Sequence, residues 1–229
     1  MQRYLSVAHI ELASTVVVFD LDDTLYFESS YRLSGINAVL QYVRHLFGNA
    51  ALDGLSVYDL QLTNVDFIAR LTETLNCPDS VKQSLLWVYR LHFPDIVLRE
   101  GMMSLIGKLE SACAKVAILT DGRSVSQRQK LRALGLERFP VYISEEYSSE
   151  KPNGLRYQKI MDEFHAKRYV YIADNPVKDF LAPNALGWRT VGLYGAGGNV
   201  HSQSFEELSK EFHPHIWVSH ADEVMDKLC

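Results

Sequence analysis

The sequence places this chain in the α/β class, as a parallel sheet wrapped by helices with an all-α domain inserted into it. Three observations carry that expectation. Thr15-Val16-Val17-Val18-Phe19 is a short β-branched run of the kind buried on both faces of a parallel sheet, and it ends abruptly in Asp20-Leu21-Asp22-Asp23-Thr24. From about Met102 onward, apolar strands alternate with helical stripes, the order a parallel sheet requires. Between these two stretches, residues 27–99 read as helix after helix.

In the inserted stretch, Ile36, Val39, Leu40, Val43, Leu46 and Phe47 recur at helical spacing and stop at Gly48. Phe67, Ile68, Leu71 and Leu75 form a second stripe. Pro78 suits the start of a third helix, which carries Val81, Leu85, Trp87, Val88 and Leu91 toward Pro94. These stripes read as the core of a small bundle. Alternation then resumes with a helix through Leu105, Ile106 and Leu109, a strand Val116–Leu119, and a helix Ser124–Leu134 closed by Gly135. A strand Val141–Ile143, a helix Leu155–Phe164 and a strand Tyr169–Ala173 follow. A helix Pro176–Leu186 backed by Gly187 leads to the strand Thr190–Leu193, then Gly195–Gly198 reads as a flexible loop. A strand Ile216–Val218 and a helix Ala221–Leu228 close the pattern. The expected architecture is a Rossmann-like core of residues 1–26 and 100–229 with a helical domain over 27–99.

Composition bounds the function. With 229 residues, 47% hydrophobic and 22% charged, the chain can fill one large core or two small ones. A formal net charge of −5 without any lysine or arginine run argues against nucleic-acid binding. Cys77, Cys113 and Cys229 form neither a metal-type pair nor an even framework, which points to free thiols in a reducing cytoplasm. Met1–Ser14 carries His9 and Glu11 and lacks the apolar core of a leader. No stretch approaches the ~18 apolar residues that span a bilayer, so neither secretion nor a membrane partner is expected.

Chemistry is expected where the strands end. In an extended segment Asp20 and Asp22 face one space, and two carboxylates that close call for a cation, most simply magnesium, which would also hold a phosphate. The plain alternative is a solvated acidic turn. At Thr120-Asp121-Gly122 the residues fit an ordinary helix N-cap, and equally a hydroxyl and free N–H groups presented to an anion. Lys151, followed by Pro152, is either a solvated lysine or the cation that neutralises a phosphate and the acids around it. In Asp174-Asn175-Pro176-Val177-Lys178-Asp179, capping accounts for Asn175, Pro176 and Asp179 but leaves Asp174 unexplained. A carboxylate level with Asp20 is what a second metal ligand needs.

Together these loops resemble the haloacid dehalogenase superfamily of phosphotransferases. Asp20-Leu21-Asp22-Asp23-Thr24 is similar to its first signature, Thr120 to the second, Lys151-Pro152 to the third, and Asp174 with Asp179 to the fourth. The helices of 27–99 resemble the family's cap, placed between the first and second signatures. Leu119-Thr120-Asp121-Gly122-Arg123 and the helix containing Gln127-Arg128-Gln129-Lys130 are most similar to the small-molecule phosphatases of the superfamily. Two positions depart from the pattern: Ala173 stands where glycine is usual, and Asp121 where asparagine is frequent.

The resemblance implies that Asp20 is a nucleophile forming an aspartyl-phosphate and that Asp22 is a general acid and base. It implies magnesium held by Asp20, the Asp22 carbonyl and Asp174, with Asp179 ordering the surroundings. Thr120 and Lys151 would bind the phosphoryl oxygens. The implied activity is hydrolysis of a small phosphorylated metabolite, a sugar phosphate or nucleoside monophosphate, by a monomer or homodimer. A phosphomutase shares every loop residue; a hydrolytic dehalogenase needs neither Asp22 nor Asp174; a non-catalytic binding module would have lost a charged group. Tyr26, Arg32 and Arg123 are candidates to reach a leaving group, and His213, His215 and His220 read as solvated residues rather than a zinc site.

Overall fold

The computed structural model describes residues 12–53, 67–112, 114–195 and 197–228. Cys113, Cys229, the start of the chain through Glu11 and residues 54–66 of the inserted stretch lie outside them. The strands are β1 Thr15–Phe19, β2 Lys115–Thr120, β3 Val141–Ile143, β4 Arg168–Ala173, β5 Arg189–Leu193 and β6 Ile216–Val218. The helices are α1 Glu28–Phe47, α2 Phe67–Thr74, α3 Asp79–Leu91, α4 Met102–Ser111, α5 Ser124–Ala133, α6 Ser144–Tyr147, α7 Leu155–Phe164, α8 Leu181–Ala185 and α9 Ala221–Leu228. None of the described helices is long and apolar enough to cross a membrane.

All six strands form one parallel sheet in the order β3-β2-β1-β4-β5-β6. Val16 to Phe19 of β1 are wholly buried, as the unbroken apolar run requires of a central strand covered on both faces. Sequence order reverses between β1 and β4, and a doubly wound sheet binds ligands outside the carboxyl ends of such strands. On one face, Val16, Val18, Tyr171, Tyr157, Ile160 and Trp188 belong to a single apolar cluster. Tyr157 meets both Tyr171 and Trp188 edge-on, and Tyr169 stacks on Trp188 with centroids 4.9 Å apart, geometries that add to simple area burial. These rings seat α7 against β4.

One sequence expectation changes. The helix anticipated over Pro176–Leu186 is a turn through Pro176–Lys178 followed by the short α8. Asp179 causes this. Its carboxylate accepts the Asn175 N–H at 2.8 Å, and its own N–H donates to the Asn175 carbonyl at 2.9 Å, closing a compact turn. Pro183 then sits within the first turn of α8, where a missing N–H costs nothing.

The chain divides into two compact units, one of Met1–Phe27, Leu98–Ser124 and Arg138–Cys229, the other of Glu28–Val97 and Val125–Glu137. The second is helical where described. Ile36, Val39, Leu40 and Val43 of α1, Phe67, Ile68 and Leu71 of α2, and Leu85 of α3 form its core, while Leu46, Phe47, Trp87 and Leu91, expected in the same stripes, are exposed. Gly35 lets α3 approach α1: a Cβ there would stand 2.2 Å from the Tyr89 ring.

Candidate active site

The site is built where β1, β2 and β4 end. Asp20 follows β1 directly, and its N–H donates to the Ile172 carbonyl at 2.9 Å, so the sheet register extends to the acid itself. Asp174 follows β4, and Thr120 ends β2. Asp20, Asp174 and Asp179 are buried, and each offers a carboxylate oxygen within 4.8 Å of the others. The buried Lys151 Nζ lies 2.6 Å from Asp20 Oδ1 and 2.6 Å from Asp179 Oδ1. Thr24, wholly buried, bridges the acids with its hydroxyl, 3.4 Å from Asp20 Oδ2 and 3.3 Å from Asp174 Oδ1.

Electrostatics follow from three buried acids facing one ammonium. Burial, with the Asp179 and Asp20 charges beside it, raises the Asp174 carboxyl to about 9. Asp20 is raised by burial to about 7, the increase being opposed by Lys151. Burial pulls the Lys151 ammonium down, but the Asp179 and Asp20 carboxylates more than reverse this and hold it well above its ordinary value. Asp179 is held at three points: Oδ1 takes Lys151 and the Tyr171 hydroxyl at 3.2 Å, while Oδ2 takes the Asn175 N–H. Its carboxylate orders the group.

Asp22 is not one of the three gathered acids. It is half-buried, and the wholly buried Tyr26 donates its hydroxyl to Asp22 Oδ1. That contact occupies Tyr26, one of the leaving-group candidates. Arg123 is exposed and stands 3.8 Å from Glu145. Thr120 is buried, and its carbonyl accepts Arg156 Nη1 at 2.8 Å. Two of the three candidate histidines bond within the fold, the His213 ring to the Leu208 carbonyl at 3.0 Å and His215 Nδ1 to the Thr190 hydroxyl at 2.7 Å, while His220 is exposed.

Sequence reasoning did not reach Arg156. Its side chain is wholly buried, Nη1 also donates to the Tyr142 carbonyl at 3.1 Å, and Nη2 pairs with Asp121. Asp121 Oδ2 in turn accepts the Lys151 N–H at 3.1 Å. A signal existed: an acid at position 121, where asparagine is frequent in the resembled signature, asks for a buried cation.

Residues 17–193 match the model of the haloacid dehalogenase-like hydrolases, and the chain belongs to that family. It is 23% identical over 193 residues to a glyceraldehyde 3-phosphate phosphatase of Methanocaldococcus jannaschii, covering 77% of this chain and 83% of that one. Among solved structures, YfnB from Bacillus subtilis, bound to magnesium, matches with a TM-score of 0.62 at 17% identity, covering 93% of this chain and 98% of that chain. A 2-haloacid dehalogenase from Pseudomonas syringae matches with a TM-score of 0.62 at 15% identity, over 93% and 97% of the two chains. At these identities the structural matches speak for the fold, and the chemistry has to be argued from the side chains.

The donor set suits a hard divalent cation. It is all oxygen, it carries more negative charge than Lys151 balances, and the raised Asp174 carboxyl retains a proton that a cation would displace.

Proposed function

We propose that this protein is a magnesium-dependent hydrolase of small phosphate monoesters that acts through an aspartyl-phosphate on Asp20. The observation that carries the reading is the buried group of Asp20, Lys151, Asp174 and Asp179, with Asp22 two residues beyond Asp20 and held by Tyr26. Lys151 opposes the burial that raises the Asp20 carboxyl and fixes its position, which favours the ionised form a nucleophile needs. An Asp20 carboxylate oxygen attacks phosphorus while the bond from phosphorus to the ester oxygen breaks, and Asp22 gives that oxygen its proton. The Asp22 carboxylate then takes a proton from water, whose oxygen displaces Asp20 from phosphorus. Thr120 and Lys151 bind the nonbridging oxygens, where the transferred charge gathers. Magnesium, held by Asp20, Asp174 and the Asp22 carbonyl, would supply neutralisation of those oxygens. A dehalogenase would need neither an acid at 22 nor the excess of buried carboxylates.

The substrate class rests on two features. The helices of 27–99 enter directly after the Asp20 loop, where a cap could exclude water and contact whatever carries the phosphate. An acidic chain without a basic run does not favour large polyanions. Triose phosphates lead the candidates, since the Methanocaldococcus jannaschii relative is named for one, followed by sugar phosphates and nucleoside monophosphates. The test is phosphate release across such a panel, with a phosphopeptide included, in magnesium and in chelator, with products identified. Release from a small ester should stop in chelator and return with magnesium. Undiminished release in chelator would remove the metal, and a phosphopeptide outrunning every small ester would remove the substrate class.

A further inference from the structure

The loop after β5 carries none of the signature residues, yet it is wired to the acids. Asn199 Nδ2 donates to Asp174 Oδ2 at 2.6 Å. Gln203 Nε2 donates to the Asp174 carbonyl at 2.9 Å and to the Leu193 carbonyl at 2.8 Å, while its Oε1 accepts the Gly195 N–H at 2.8 Å. The Val200 N–H reaches Asp23 Oδ2 at 2.7 Å. Gly195 makes room for the arrangement: a Cβ there would stand 1.5 Å from Asn199 Oδ1 and 2.1 Å from Cγ.

Asn199 Oδ1 is buried against Gly195 and has no hydrogen-bond partner among the described residues. Once a cation has displaced the Asp174 proton, turning the amide over would set this oxygen against a carboxylate, so the N–H end is the one that faces Asp174.

We propose that Asn199 is a positioning residue of the metal centre: its side-chain N–H holds the Asp174 carboxylate in the orientation that meets the cation. This rests on the metal reading above. Groups that hydrogen-bond a metal ligand commonly set the affinity of the site, and their loss costs about 10- to 100-fold.

The experiment is calorimetric titration of the protein with magnesium chloride alone, for wild type, Asn199→Ala, Gly195→Ala and Ser202→Ala, with thermal unfolding in chelator to establish that each folds. Asn199→Ala should lose about 10- to 100-fold in magnesium affinity. Gly195→Ala should weaken binding too, because the added methyl displaces the amide, and exposed Ser202→Ala should bind as wild type does. Wild-type affinity in a folded Asn199→Ala overturns the inference; should that variant not fold, Gly195→Ala decides by the same criterion. A wild-type protein that binds no magnesium overturns the metal reading and this inference with it.

Discussion

Asp174 is the residue at which the site's electrostatics can be read most directly. Its carboxyl titrates near 3.8 when unfolded and near 9 in the fold without metal, chiefly through burial. Between those values the folded chain holds a proton that the unfolded chain has lost, so this group's contribution is fully present below the lower value and is lost as pH rises through the higher one. Asp20, raised to about 7, works in the same direction over a narrower window. In chelator, the stability of wild type relative to Asp174→Asn should therefore fall as pH rises from about 5 to 9, as thermal melts of the two proteins would reveal. A difference that grew with pH would contradict the burial argument. Magnesium binding at pH 8 should also release protons, read as a binding heat that changes with the ionisation enthalpy of the buffer.

Elements are joined at this site by Arg156, which fastens α7 to the ends of β2 and β3 through the Thr120 and Tyr142 carbonyls and through Asp121. Replacing it by leucine strands an acid and two carbonyls, and should destabilise the protein by about 3–5 kcal/mol in urea denaturation. Asp121→Asn in the same background should recover part of that loss; no recovery would mean the carbonyls, not the charge pair, dominate. This fastening also marks where the sequence stops being informative. Strand ends and their acids were legible because β-branched runs and abrupt polarity report burial and its limit. Arg156 was not, because a lone arginine in a helical stretch looks like any surface cation until its position is known. The turn at Asn175–Asp179 is hidden for a related reason: Pro176 and Asp179 are good helix-starting residues, and nothing local shows the contacts of Asp179 with Lys151 and the Tyr171 hydroxyl. The wiring of Asn199 and Gln203 lay equally hidden, since Gly195–Gly198 predicts flexibility and nothing local predicts long-range bonds.

At the scale of the whole molecule, regular alternation from Met102 onward specified a parallel sheet, because parallel strands need crossover connections, usually helices. The helical stripes after β1 supply most of the apolar core found among those helices, whereas Val125–Glu137, expected with the sheet, falls in the same compact unit as they do. The proposed function turns on covalent chemistry at Asp20. The most direct test uses Asp22→Asn with p-nitrophenyl phosphate and magnesium. This leaving group needs little help from an acid, whereas the water step still needs Asp22 as base. Rapid mixing should give a burst of nitrophenol of about one equivalent followed by slow turnover, the burst signature of a covalent intermediate, and mass spectrometry should find one phosphoryl group on Asp20. A linear time course with unmodified Asp20, or a phosphoryl group on any other residue, would contradict the account.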